Sequence, residues 1–277
     1  MNFVFKTWDK FCYKLHNAGK ISVRAKDVLE NKVKNDYIVL KHDVETAVKK
    51  AYKIAKIESK YGHKGSYYVQ AYLLNSKKNL SLLHKMQQLG HEITYHHDVM
   101  DFSGGDIAKA KQEYESNVLK FQEEGFEIIT VCQHGNPVIE RNGYYSNRDF
   151  FRNKAIAENF SAHADIMVNF PEKAQTEYLY FSDAGKKFKL IYDPINNDVV
   201  NSSEKDKPYK SLNVLFEEID GNNAIISMHP HRWGGSILVG FFKTIFFKIV
   251  KRIVKLLIKV PIMKKFFSKY YYLAKKI

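Results

Sequence analysis

Cysteine is scarce: two residues in a chain of 277. Cys12 and Cys132 are far apart and in no zinc-ligand spacing. That excludes a disulfide scaffold and a zinc-finger framework, and it points to a reducing compartment. Six prolines and fourteen glycines are too few for a low-complexity chain, and no internal repeat is present. The N-terminus, Met1 to Asp9, has no basic segment leading into a long apolar one. No secretory signal is expected, and the expected location is cytoplasmic. Acidic residues are absent from 236–277, which hold eleven Lys/Arg. Of the net charge of +14, this tail therefore carries +11 and leaves 33 basic against 30 acidic residues, or +3, for residues 1–235. A body so nearly balanced is not a nucleic-acid binder.

What is present is a large apolar fraction, 45%, enough for one sizeable α/β core. Residues 3–16 place Phe5, Trp8, Phe11, Cys12 and Leu15 at helical spacing. Short apolar runs at 37–42, 65–69, 92–95 and 128–132 read as strands. Between them, helical patterns run from after Glu45 to Tyr61, over 77–89 and over 105–124, each stopped by a glycine. Beyond 140 the pattern loosens. A partly helical stretch is expected over 144–159, strands at 165–169, 178–181 and 188–191, a polar loop at 193–210, a helix at 212–219 and a closing strand at 224–228. Strand–helix alternation of this kind implies parallel strands with crossover helices, so a barrel or a wound sheet.

The residue types able to do chemistry fall at the ends of these strands, the edge that carries active sites in α/β folds. His42-Asp43-Val44-Glu45 follows the first strand. Asp43 and Glu45 are two apart and share one side of an extended chain. They are either a metal ligand and a proton acceptor, or a helix cap and a first-turn acid. His96-His97-Asp98 ends the third strand. Imidazole and carboxylate suit zinc and similar ions, and one of the two adjacent histidines must face away from the site. His91, at the start of that strand, reads as a packing or turn residue. His134 stands on the turn made by Gly135-Asn136-Pro137 and reads as a ligand or a substrate donor. Asp183 either orients a histidine or binds substrate. His229 precedes Pro230 at the end of the last strand and suits a general acid, with Arg232 and Trp233 placed to hydrogen-bond and stack on a sugar.

Taken in order, His42-Asp43-Val44-Glu45, Gly90-His91-Glu92-Ile93 with His96, His134-Gly135-Asn136-Pro137 and Met228-His229-Pro230-His231-Arg232-Trp233 resemble the polysaccharide deacetylase (NodB homology) superfamily, in a divergent branch associated with bacterial surface-polysaccharide synthesis. The resemblance spans about residues 35–235. It implies a distorted (β/α) barrel of about seven strands and a divalent metal, zinc by preference, with nickel, cobalt or iron as other occupants. It also implies hydrolysis of an N-acyl group, N-acetyl above all, from a sugar. Carried over, Asp43 is the general base, Glu45 and His96 are metal ligands, and His229 is the general acid. Asp183, Asp98, Arg232 and Trp233 lie on the substrate side. Two positions depart from the family pattern. Glu45 stands where aspartate is usual, and Met100 stands where a second histidine is usual, although thioether is a poor ligand for such ions. His134 is the preferred replacement, with His97, Asp98 and Asp101 as other options.

The tail, 236–277, alternates apolar pairs such as Phe241-Phe242 and Ile253-Val254 with Lys248, Lys251, Arg252, Lys255 and Lys259. No uncharged run in it approaches about 18 residues, so it is not expected to span a membrane. Its pattern suits a basic amphipathic helix on an anionic membrane surface, each basic residue adding about 1 kcal/mol. The other reading is a helix packed on the body. The expected partners are a glycan, free or lipid-linked, and the inner face of the plasma membrane. The expected function is deacylation. A non-catalytic glycan-binding or scaffold protein on the same fold, and an amidase acting on a non-sugar amide, are the alternatives.

Overall fold

A computed structural model describes residues 3–136, 139–184, 188–196 and 207–236. The expected helical tail lies outside the described residues, Ser236 excepted. In chain order the elements are α1 (Phe5–Asn17), α2 (Ala25–Leu29), β1 (Ile38–Val44), α3 (Val48–Lys60), β2 (Gly65–Val69), α4 (Lys77–Gln88), β3 (Glu92–His97), α5 (Val99–Ser103), α6 (Ile107–Glu123) and β4 (Thr130–Gln133). They continue with α7 (Asp149–Arg152), α8 (Lys154–Asn159), β5 (Ala164–Asp165), α9 (Phe170–Lys173), β6 (Leu179–Ser182), β7 (Lys189–Ile191), β8 (Lys207–Pro208), α10 (Leu212–Glu218) and β9 (Ala224–Met228). Short 3-10 turns follow β2 at Ala71–Asn75 and β9 at Pro230–Arg232.

The strands form one nine-stranded sheet in the order β5-β4-β3-β2-β1-β9-β6-β7-β8. Every pair from β5 to β6 is parallel, and the last two pairs are antiparallel. Strands β1, β2, β3 and β9 are buried along their whole length, as parallel strands covered on both faces must be. On β1, Ile38, Leu40 and Val44 pack with apolar side chains of the covering helices. Val39, on the other face, belongs to a cluster that takes in Tyr68 of β2, Cys132 of β4, Ala164 of β5, Tyr180 of β6 and Ile225 of β9. A flat sheet cannot bring β5 and β6 into one cluster, so the sheet is curled. The Tyr178 hydroxyl, just before β6, reaches across the gap to the Ile166 carbonyl, just after β5, at 3.2 Å.

The architecture is α/β, as the alternation implied. A closed barrel of about seven strands is not formed, because no ladder joins β5 to β6 among the described residues. The cause is local. β5 has only two residues, and Asp165 then turns back on itself, its carboxylate accepting from Met167 N at 2.7 Å. The strand expected at 165–169 is therefore cut short. The helix expected from Thr46 begins at Val48, because Ala47 adopts a left-handed conformation (φ 55°) between β1 and α3. The N-terminal helix docks as its spacing predicted, with Trp8, Phe11, Cys12 and Leu15 all buried.

Candidate active site

The C-terminal ends of β1, β3, β4 and β9 converge on one cluster. Asp43 is on β1, and Glu45 follows it after the strand ends. His96 is on β3, His134 follows β4, and His229 follows β9. Ligand atoms of Glu45, His96 and His134 lie within 4.8 Å of one another, and all three residues are buried. The Glu45 Oε1 to His134 Nε2 distance is 3.3 Å. His96 donates from Nδ1 to the Cys132 carbonyl at 3.0 Å, which leaves Nε2 for the site. A backbone acceptor behind a ligand histidine is the usual way such a ring is oriented. Burial, reinforced by the neighbouring His134, pushes the His96 pKa down to about 3 against the pull of Asp43 and Glu45. The ring is neutral at physiological pH, the form that ligates. Two imidazoles and a carboxylate are a donor set that fits zinc and its neighbours.

Asp43 is buried to the same extent as Glu45. Lys41, two residues earlier on the same face of β1, places Nζ 2.5 and 2.7 Å from the two Asp43 oxygens and 3.3 Å from Ser227 Oγ. Burial alone would raise the Asp43 pKa, but Lys41, with His96 and His229, outweighs it and holds the carboxyl below its usual range. The group is thus a carboxylate in an enclosed site. From the other side, His229 Nε2 is 3.7 Å from Asp43 Oδ2 and 3.9 Å from Glu45 Oε1.

Behind His229 sits Asp183. One oxygen accepts from His229 Nδ1 at 2.6 Å and from Arg232 Nη1 at 2.9 Å. The other accepts from His229 N at 3.0 Å and from Trp233 Nε1 at 3.3 Å. Burial opposes its charge, but His229 and Arg232 together hold it well below the usual carboxylate range. Asp183 is fully buried. Of its two sequence readings, orienting a histidine is the one this geometry matches, not contact with substrate. Trp233 is likewise fully buried and packs edge-on against Phe3 and Trp8 at 5.3 and 5.6 Å. Its indole is core and is not placed to stack on a sugar. Arg232 holds the Asp183 side chain and carbonyl through Nη1, both at 2.9 Å, and part of its side chain reaches solvent.

The adjacent histidines divide as strand geometry requires. His97 points away, 2.8 Å from Asp165 and enclosed by Tyr114, Phe150 and Phe151. Met100 is in the hydrophobic core. Asp98 is half-buried at the start of α5. Asp101 is no ligand. Its carboxylate accepts from Arg141 at 2.8 and 2.9 Å, from Asn147 at 2.9 Å and from the Tyr144 hydroxyl at 3.1 Å. Asn147 also donates to the His134 carbonyl at 2.7 Å, while His134 N donates to the His97 carbonyl at 2.7 Å. The backbone of His134 is therefore pinned on both sides, and Asp101 anchors one of the pins. His91, read as a packing residue, accepts from Gly65 N and contacts the Ala55 carbonyl, both at 3.0 Å.

Three participants escape sequence reading. Lys41 shares the face of Asp43 by simple alternation, a signal available in an otherwise apolar run. Cys132 is the register partner of His96, so its proximity depends on sheet pairing. The Tyr72 hydroxyl donates to the Glu45 carbonyl, a contact across a loop that no pattern encodes. No protein-family model, curated protein or solved structure matches this chain.

Proposed function

We propose that this chain is a metal-dependent hydrolase that removes an N-acyl group, N-acetyl by preference, from a sugar of a bacterial surface glycan or its lipid-linked precursor. The observation that carries this reading is the single cluster of Glu45, His96 and His134, flanked by Asp43 and His229. Glu45, His96 and His134 would hold the ion, zinc by preference. When bound, a divalent ion there supplies Lewis acidity toward an amide carbonyl and eases deprotonation of water. Asp43, kept ionised by Lys41, takes a proton from the attacking water. His229, held by Asp183 through Nδ1, presents Nε2 and protonates the departing amine. The sequence resemblance supports the same division of roles. The curled sheet supports a distorted, barrel-like wrap with its mouth at the strand C-termini.

The tail 236–277 is the part that meets an anionic membrane, as its basic and apolar alternation favours. Among the described residues no helix is long and apolar enough to cross a membrane.

Elemental analysis of dialysed protein tests the reading. About one divalent ion per chain is expected, and His96→Ala is expected to lose it. Protein that remains empty after supply of zinc, nickel and cobalt would sink the metal mechanism. A second expectation concerns the anchor of His134. Asp101→Asn should weaken metal affinity by about 10–100-fold, the usual effect of losing an outer partner of a ligand. Competition against a chromogenic chelator measures it, and unchanged affinity would remove Asp101 from any role in holding His134.

A further inference from the structure

The cluster contains two sets of donors, not one. Asp43, His96 and Cys132 also place ligand atoms within 4.8 Å of one another. This inner set stands two residues earlier in the chain than the outer one at both places, Asp43 on β1 against Glu45 just beyond it, and Cys132 on β4 against His134 just beyond it. His96 is common to both. Its Nδ1 is committed to the Cys132 carbonyl, so it offers one nitrogen and serves one seat at a time.

By donor chemistry the inner seat is attractive, since thiolate, imidazole and carboxylate all bind zinc-like ions. A positive charge already sits at it. The Lys41 ammonium holds both Asp43 oxygens at 2.5 and 2.7 Å and is fully enclosed. Ser227 Oγ lies 3.3 Å from it and the centre of the Tyr68 ring 5.4 Å, and the ammonium also interacts with the Cys132 thiol and with Tyr180. A divalent ion on Asp43 would meet that ammonium at close range, without water to screen it. We propose that Lys41 is a resident cation that closes the inner seat of Asp43, His96 and Cys132 and directs the metal to the outer seat of Glu45, His96 and His134. Asp43 is thereby kept out of the ligand set. This inference rests on the metal reading of the site. Lys41 acts here as a positioning residue, touching neither substrate nor ion.

Cobalt(II) absorption separates the two seats, because ligation by thiolate adds an intense near-ultraviolet charge-transfer band that nitrogen and oxygen ligands do not give. Metal-free wild type, Lys41→Met and Lys41→Met/Cys132→Ser are titrated with cobalt, with circular dichroism to confirm folding. Wild type should bind cobalt without the thiolate band. Lys41→Met should gain the band as the thiol releases its proton to solvent, and the double variant should lose it again. A thiolate band in wild type, or a folded Lys41→Met that binds cobalt without one, overturns the proposal. His134→Ala with Lys41 intact provides a second test that does not depend on folding of Lys41→Met. It should show no thiolate band, and a band there overturns the proposal as well. The metal reading fails separately. Wild type that takes no cobalt overturns that reading while a banded Lys41→Met still supports the closed inner seat, and absence of cobalt from every variant overturns both.

Discussion

Asp43→Asn is expected to lower turnover by about 10²–10⁴-fold, the usual contribution of a positioned general base, while metal content stays that of wild type. On the proposed mechanism the amide cannot accept the proton that the carboxylate takes, and the proposed ligands Glu45, His96 and His134 are untouched. A complication is built into the site. Lys41 is fully buried, so the substitution also leaves an enclosed ammonium without its counter-charge, at a cost of about 3–5 kcal/mol. Turnover is therefore measured per folded chain, as amine released from N-acetylated sugar oligomers. The double variant Lys41→Met/Asp43→Asn separates the two effects. It should recover much of the stability and none of the activity. Wild-type turnover in Asp43→Asn would remove Asp43 from the proton-transfer role.

Glu58→Ala should lower the stability of the fold by about 3–5 kcal/mol, seen as an earlier midpoint in chemical denaturation and a melting temperature lower by roughly 10 °C. Glu58 is fully buried behind β1 and far from any solvent. Its oxygens accept from Trp8 Nε1 at 3.0 Å and from the Tyr67 hydroxyl at 2.7 Å, and His42 Nε2 lies 2.8 Å away. One carboxylate thus ties α1, α3, β1 and β2 together. Space for it is left by Gly65, where a Cβ would stand 3.0 Å from both Glu58 Oε2 and the Leu40 carbonyl. Alanine strands the indole and the phenol, each buried without its acceptor, and removes the carboxylate beside the His42 imidazole. Burial would raise the Glu58 pKa, yet His42, with His91 and Tyr67, holds it below the ordinary value. Its ionisation therefore stabilises the fold above the unfolded value of about 4.3, and that contribution is lost as pH falls through the folded value. The gap between wild type and variant should narrow on acidification. An unchanged denaturation midpoint at neutral pH would show that the network is not structural.

The class of fold was legible because four of the parallel strands are short apolar runs with three glycine-stopped helices between them, so local pattern and topology agree. What the sequence could not give was the state of the sheet's edges. Closure depends on whether β5 is long enough to pair, and Asp165 ends that strand through a side-chain turn that composition does not mark. At the site, alternation along single strands was enough to bring Asp43 beside Glu45 and to send His97 away from His96. His134 was placed by its position at a strand end. The sugar-stacking role expected of Trp233 did not match its surroundings, because exposure is a tertiary property. The indole follows the last strand but is covered by Trp8 and Phe3 from the other end of the chain. Cys132 and Tyr72 enter through contacts between neighbouring segments, which one strand's periodicity cannot report.

The place of β9 in the sheet fixes an order of assembly. It lies between β1 and β6, so the Lys41–Ser227 contact closes over 186 residues of chain. Until β9 is made, β1 has a bare edge along Ile38–His42, and α1 lacks the Gly234 carbonyl that receives Phe5 N at 2.9 Å. During synthesis the first helix and the first strand must wait for almost the whole body to emerge. Folding should accordingly be slow, as non-local pairing dictates, and a nascent chain stopped before Ala224 would present an open strand edge to its neighbours. His229 arrives with the same strand. His229 and the Asp43 carboxylate it faces are therefore brought together only in the closing step of folding, so a half-made chain lacks the proposed site.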